Sequence, residues 1–102
     1  MPYYANWANY ATSAVWLAMN DDRDYQREWR QRAAVVWQEA KTNVRSPQAV
    51  ITPSQAARDN LSYELQCKIP EDRLLPVEPH DVNWGEIADS LLVGFEGYEE
   101  IL

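Results

Sequence analysis

Apolar residues recur at helical spacing in four stretches of the chain, and polar caps and prolines separate these stretches. The clearest stretch is 22–43, where large apolar side chains fall three or four positions apart and form one stripe. The stripe consists of Tyr25, Trp29, Ala33, Val36, Trp37 and Ala40. We therefore expect a long helix that buries both tryptophans, with an i,i+4 ion pair between Glu28 and Arg32 on its polar side.

Two more helices are predicted by their start signals. Asn9 is a suitable N-cap for a helix over 10–20, which places Val15, Trp16 and Met19 on one side. The segment "TPSQ" provides a cap at Thr52, proline at the first helical position, and glutamine at the capping-box position. The apolar side of the helix that follows consists of Ala57, Leu61, Leu65 and Ile69.

The last helix begins after Asn83, where Glu86 stands at the capping-box spacing. Its apolar stripe consists of Ile87, Ala88, Leu91, Leu92 and Phe95, and the nearby Trp84 is expected in the core. Gly94 is expected to end the helix, because glycine accepts the left-handed conformation of a helix terminus.

An irregular connector over 70–80 is predicted between the third and fourth helices, because three prolines fall between positions 70 and 79. Leu74, Leu75 and Val77 are expected to pack from this connector onto the helices. The sequence thus predicts an all-α fold, with four helices and a proline-rich irregular connector in one domain over 1–102.

Charge is distributed unevenly along the chain. Sixteen acidic and nine basic residues give a net charge of −7. Residues 1–20 carry no charged side chain, whereas 69–102 hold nine acids and one base. Such a chain is poorly suited to nonspecific nucleic-acid binding, which requires a basic surface. The acidic end is compatible with a basic protein partner, and equally with acids that only keep a small protein in solution.

The acids of the last third are the candidate partner-binding residues. If several share one surface, their spacing imitates phosphates, and a basic groove built for nucleic acid would attract them. Glu86 and Asp89 are expected to be exposed on the polar side of the last helix. The candidates are Glu78, Asp81, Glu86, Asp89, Glu96, Glu99 and Glu100.

No catalytic, metal or cofactor site is predicted. The single histidine, His80, and the single cysteine, Cys67, cannot form a zinc cluster within one chain. Cys67 is interpreted as a small core residue, and His80, beside Asp81, as a loop residue near a helix cap. The lone cysteine favours a reducing, intracellular setting, and no apolar run is long enough to span a membrane.

Two further groups of residues leave alternatives open. Arg23, Arg27 and Arg30 form a basic row, which either pairs with Asp24, Glu28 or the acidic end, or contributes to a binding site. A nucleic-acid site would need more arginines than these three. At the other end, Tyr3, Tyr4 and Trp7 either cover the core or form an exposed anchor for a partner.

Two segments resemble signatures of small proteins from phages and mobile elements. The stretch "NYATSAVWLAMNDD" resembles an N-terminal N-Y-x-T-W-x-V-x-L-W signature at Asn9, Tyr10, Thr12, Val15 and Leu17, with Ser13 and Ala18 where tryptophans are usual. The stretch "VNWGEIADSL" is similar to a C-terminal V-[ND]-W-x-E-I-A-x-x-L signature at seven positions. Those positions are Val82, Asn83, Trp84, Glu86, Ile87, Ala88 and Leu91.

The resemblance implies a small phage-type accessory protein acting in the host cytoplasm. Phage proteins of this size and acidity are often inhibitors of host machinery, including restriction and CRISPR systems. The first hypothesis is thus a non-enzymatic inhibitor that binds a host nucleic-acid-binding protein with a basic groove, without itself contacting nucleic acid or membrane. The alternative is a protein–protein adaptor or self-assembling structural protein, such as a homodimer, that uses its aromatic N-terminus.

Overall fold

The structure, a computed structural model, describes residues 7–43 and 51–98. These contain helices α1 (Tyr10–Asn20), α2 (Arg23–Asn43), α3 (Pro53–Asp72) and α4 (Trp84–Leu92), with one turn of 3-10 helix at Pro79–Asp81. Helix α3 packs against both α2 and α4, while α1 lies across α2 and α4. The predicted all-α fold of four helices is confirmed.

Each helix begins at a side chain that caps it. Asn9, Thr52 and Asn83 accept hydrogen bonds from the backbone N–H three residues later, at 2.8, 3.1 and 3.2 Å. Asp22 caps α2 by accepting from the N–H groups of Asp24 and Tyr25. These bonds satisfy donors that a helix start leaves unpaired, so the helix starts are set locally by sequence.

The core is formed by the predicted stripes. Every residue of the α2 stripe is buried, and Leu61, Leu65 and Ile69 of α3 meet Ile87 and Leu92 of α4 with almost no exposed surface. Trp29, Trp37 and Trp84 are core residues, as predicted. Trp7 is half-buried and packs on Trp16, with ring centroids 5.2 Å apart.

Helix α3 continues through Pro70 to Asp72, so the irregular connector begins three residues later than predicted. Pro70 lacks the N–H that would donate within the helix, and only two residues of α3 follow it. The helix then ends with the N–H of Arg73 donating to the carbonyl of Ile69.

The end of α4 also differs from expectation. The helix ends at Leu92, and the glycine with a left-handed backbone is Gly97, at φ 89°, rather than Gly94. The turn at Gly97 places Tyr98 edge-on against Trp37, with ring centroids 5.6 Å apart. The chain after α4 is thus anchored on α2.

Two expectations about burial are wrong. Cys67 is exposed, because it lies on the side of α3 opposite to Leu65 and Ile69. Leu74 is fully exposed, although Leu75 and Val77 pack against the core as predicted. Leu74 is therefore a candidate contact residue.

Candidate interaction surface

Asp89 belongs to the interior of the protein and not to its surface. Its side chain is buried between α4, α3 and the turn at Tyr98. One carboxylate oxygen accepts from Nε of Arg58 at 3.0 Å, and the other accepts from the hydroxyl of Tyr98. The prediction that Asp89 is exposed is therefore wrong, because Arg58 of α3 supplies a long-range cation that draws it inward.

Gly85 makes room for this buried ion pair. A Cβ atom at Gly85 would lie 2.6 Å from Nη2 of Arg58, which is closer than carbon and nitrogen can approach. The Arg58 side chain thus crosses the first turn of α4 to reach Asp89. Arg58, Asp89 and Tyr98 together form what we call the Arg58 cluster.

Glu86 is also engaged within the fold. Both of its carboxylate oxygens accept from the backbone N–H of Ala8, at 3.0 and 3.1 Å. The negative charge lies just ahead of the N-terminus of α1, where the helix dipole favours an anion. Glu86 is half-buried rather than fully exposed, and its charge is directed toward α1.

Further hydrogen bonds join the same two segments. The amide nitrogen of Asn9 donates to the carbonyl of Asp81 at 2.8 Å, and the backbone N–H of Asn83 donates to the hydroxyl of Thr12 at 2.8 Å. We call the contact between residues 8–12 and 81–86 the α1–α4 junction. It joins the two segments on which the phage-protein resemblance depends, so their polar residues have a structural role here.

The other candidate acids are on the surface where the structure describes them. Glu78, Asp81 and Glu96 are exposed, and Glu71 and Asp72, at the end of α3, are exposed as well. Asp81 lies 3.5 Å from His80 in the 3-10 turn. Glu99 and Glu100, together with Tyr3 and Tyr4, lie outside the described residues.

The only lysine or arginine after position 68 is Arg73, and it is held within the fold. Arg73 donates to Asp22 at 2.7 Å and lies over the ring of Tyr25, 4.3 Å from its centroid. The hydrogen bond from Arg73 lowers the pKa of the Asp22 carboxyl below its ordinary value. Arg73 therefore neutralises a carboxylate at the start of α2, and the neighbouring Glu71 and Glu78 have no ion-pair partner among the described residues.

A surface groove of about 500 Å³ runs along the end of α3 and the connector. We call it the acidic groove, and its lining includes Glu71, Asp72, Arg73, Leu74, Leu75, Val77 and Glu78, with Arg73 paired to Asp22. Its acids flank a fully exposed leucine side chain. Sequence reasoning missed this groove because it treated Leu74 as packed and did not consider the partner of Arg73.

The arginine row of α2 is mostly unpaired. Arg27 lies 3.8 Å from Asp24, both being exposed, and no ion pair within 7–43 and 51–98 involves Arg23 or Arg30. The expected pairing with Asp24 is thus observed at Arg27, whereas pairing with Glu28 or the described part of the acidic end is not. Arg32 pairs with Glu64 of α3 at 2.6 Å, rather than with Glu28.

Two of these arginines border a second groove, of about 520 Å³, between α2 and α4. Its lining includes Arg27, Arg30, Ala34, Leu91, Val93 and Phe95, and we call it the arginine groove. Val93 is 51% exposed in this groove, so part of its apolar surface is open to a ligand.

Comparison with known proteins adds no further constraint on the site. The sequence matches no family model, and no curated protein or solved structure is significantly similar to it. In the described part of the chain, no helix combines the length and apolar character needed to cross a membrane. Within the same residues, no three His, Cys, Asp or Glu side chains come together as metal ligands do.

Proposed function

We propose that this protein is a non-enzymatic inhibitor that docks its acidic groove on a basic surface of a nucleic-acid-handling host protein. The observation that carries the proposal is the fully exposed Leu74 between Glu71 and Glu78, beside an arginine already bonded to Asp22. The phage or mobile-element origin implied by the two sequence segments is part of the proposal.

The acidic groove combines two features of a protein–protein contact. An apolar side chain that is buried on binding supplies affinity, and surrounding charges supply orientation and a faster approach to the partner. Leu74 meets the first condition, and Glu71 and Glu78 meet the second. A partner with a groove for nucleic acid has the opposite charge, so such a surface would attract this end of the protein.

The acids divide into two groups in this proposal. Glu86 and Asp89 hold the fold together and do not contact the partner. Glu71 and Glu78 flank the contact, while Asp81, Glu96 and the undescribed Glu99 and Glu100 add long-range attraction. Because steering between exposed charges is screened by salt, binding should weaken as ionic strength rises.

The alternative function, an adaptor that uses an aromatic N-terminus, has less support. Trp7 packs on Trp16 and against the core, so it is not a free anchor. Such an adaptor would lose its assembly when Tyr3, Tyr4 and Trp7 are changed to alanine, and it would respond little to salt.

The proposal predicts that charge reversal of the acidic groove and of the nearby Asp81 abolishes partner binding without unfolding the protein. The variant carries Glu71→Lys, Glu78→Lys and Asp81→Lys. All three side chains are exposed, so helicity measured by circular dichroism should be unchanged. Tagged protein would be used to capture partners from a bacterial lysate at low and high salt. We expect capture of a nucleic-acid-binding protein by the native chain only, and at low salt.

A matched control distinguishes the effect of reversing charges in the groove from the effect of changing the net charge of the protein. The changes Asp24→Lys, Glu39→Lys and Asp59→Lys alter the net charge equally at exposed positions outside the acidic groove. This variant should still capture the partner. Equal capture by the groove variant and the native chain, or equal loss in both variants, would show that the acidic groove is not the contact.

A further inference from the structure

The arginine groove presents a local positive site on an acidic protein. Arg27 and Arg30 border it, and Leu91, Val93 and Phe95 supply apolar lining. Arg30 has no ion-pair partner among the described residues, and the 3.8 Å contact of Arg27 with Asp24 is exposed and weak. A ligand for this groove should thus combine an apolar side chain with flanking carboxylates.

The acidic groove of the same protein has this chemistry. It presents the exposed Leu74 with Glu71 and Glu78 on the same groove lining. The acidic groove and the arginine groove share no lining residue, so one molecule can offer both at once. The two grooves are therefore complementary. The acidic groove presents carboxylates and an exposed leucine, and the arginine groove presents guanidinium groups and an open apolar lining.

We propose that the protein self-associates head to tail, with Leu74 of one copy inserted into the arginine groove of the next. Glu71 and Glu78 of the first copy then pair with Arg27 and Arg30 of the second. Because two different surfaces meet, the contact is heterologous, and it builds a ring or an open chain instead of a closed two-fold dimer. Both grooves are small, so the association should be weak, concentration-dependent and sensitive to salt.

Self-association would also compete with the proposed inhibitory contact, because both use the acidic groove. The two proposals can nevertheless fail separately. Self-association needs only the purified chain, whereas inhibition needs the host partner. Reversal of the arginine groove should abolish self-association and leave capture of the host partner intact.

A charge-swap experiment tests the head-to-tail contact. One variant carries Glu71→Lys and Glu78→Lys, and the other carries Arg27→Glu and Arg30→Glu. In each variant alone, the two grooves have the same sign of charge and should repel, so both should sediment as monomers at low salt. When the variants are mixed, each groove again meets one of opposite charge. We expect association in the mixture within about tenfold of the native affinity.

Analytical ultracentrifugation at low and high salt, up to ~1 mM chain, distinguishes the outcomes. Native association that is lost in each variant and restored in the mixture would support the contact. Leu74→Ala should weaken native association, and Asp59→Lys with Glu39→Lys should not. A native chain that stays monomeric, association that survives in either variant, or a mixture that does not associate would overturn the proposal.

Discussion

Replacing Asp89 by alanine is expected to lower the free energy of unfolding by about 3 kcal/mol. The change leaves the guanidinium of Arg58 without its partner at a site where only 25% of that side chain is exposed, and it removes the acceptor for Tyr98. In a domain of this size, such a loss corresponds to a melting temperature lower by about 15 °C. Urea denaturation followed by circular dichroism measures it.

A double-mutant cycle isolates the ion pair from the loss of packing. Once Arg58 is replaced by methionine, Asp89→Ala should cost much less, because no charge is left buried alone. Glu78→Ala, at an exposed acid of the same third of the chain, is the matched control and should change stability by less than about 0.5 kcal/mol. Equal small effects at Asp89 and Glu78 would contradict the assignment of Asp89 to the Arg58 cluster.

Replacing Thr12 by valine is expected to destabilise the protein by about 2 kcal/mol, although the two side chains have nearly the same shape. Thr12 has no exposed surface, and its hydroxyl accepts from the N–H of Asn83 while donating to Asn9 at 2.7 Å. Valine leaves the Asn83 donor without a partner and weakens the α1–α4 junction. Thermal and urea unfolding curves of the variant measure the effect.

Serine at position 12 provides the control for this prediction. Thr12→Ser keeps the hydroxyl and removes one methyl group, so it should cost only about 1 kcal/mol. Valine should be the more damaging substitution if the hydrogen bonds hold the junction. A serine variant less stable than the valine variant would show that packing of the methyl group, rather than the hydroxyl, is what matters at Thr12.

The helices could be predicted well because their signals are local. A cap such as Asn9 or Thr52 acts on an N–H three residues away, and the α2 stripe is visible in the spacing of its own residues. Helix ends were predicted less accurately. The irregular connector is predicted to begin at 70, whereas α3 continues through Pro70 to Asp72, and the glycine with a left-handed backbone after α4 is Gly97 rather than Gly94.

The candidate site was harder to predict because it depends on which arginine forms an ion pair with which carboxylate. Asp89 lies on the polar side of α4 when that helix is considered alone, but Arg58 approaches it from 31 residues away. Periodicity cannot reveal such a partner. A glycine in the first turn of a helix was the one local signal, since Gly85 marks the place where the Arg58 side chain crosses.

The acidic residues of the chain fall into two groups, those bound within the fold and those exposed. Asp89 is neutralised by Arg58, Asp22 by Arg73, and Glu86 is held at the start of α1. Within 7–43 and 51–98, the exposed acids Glu71, Glu78 and Glu96 have no basic partner. Some acids of the last third therefore stabilise the fold, and others are exposed. Only the exposed acids can take part in the proposed binding.

Carboxyl labelling of the native protein with a water-soluble carbodiimide, quantified by mass spectrometry, tests this division most directly. We predict rapid modification of Glu71, Glu78 and Glu96, slower modification of Glu86, and protection of Asp89 until the protein unfolds. Modification of Asp89 in the folded protein at the rate of Glu78 would contradict the account, because the carboxylate assigned to the interior would then be part of the surface.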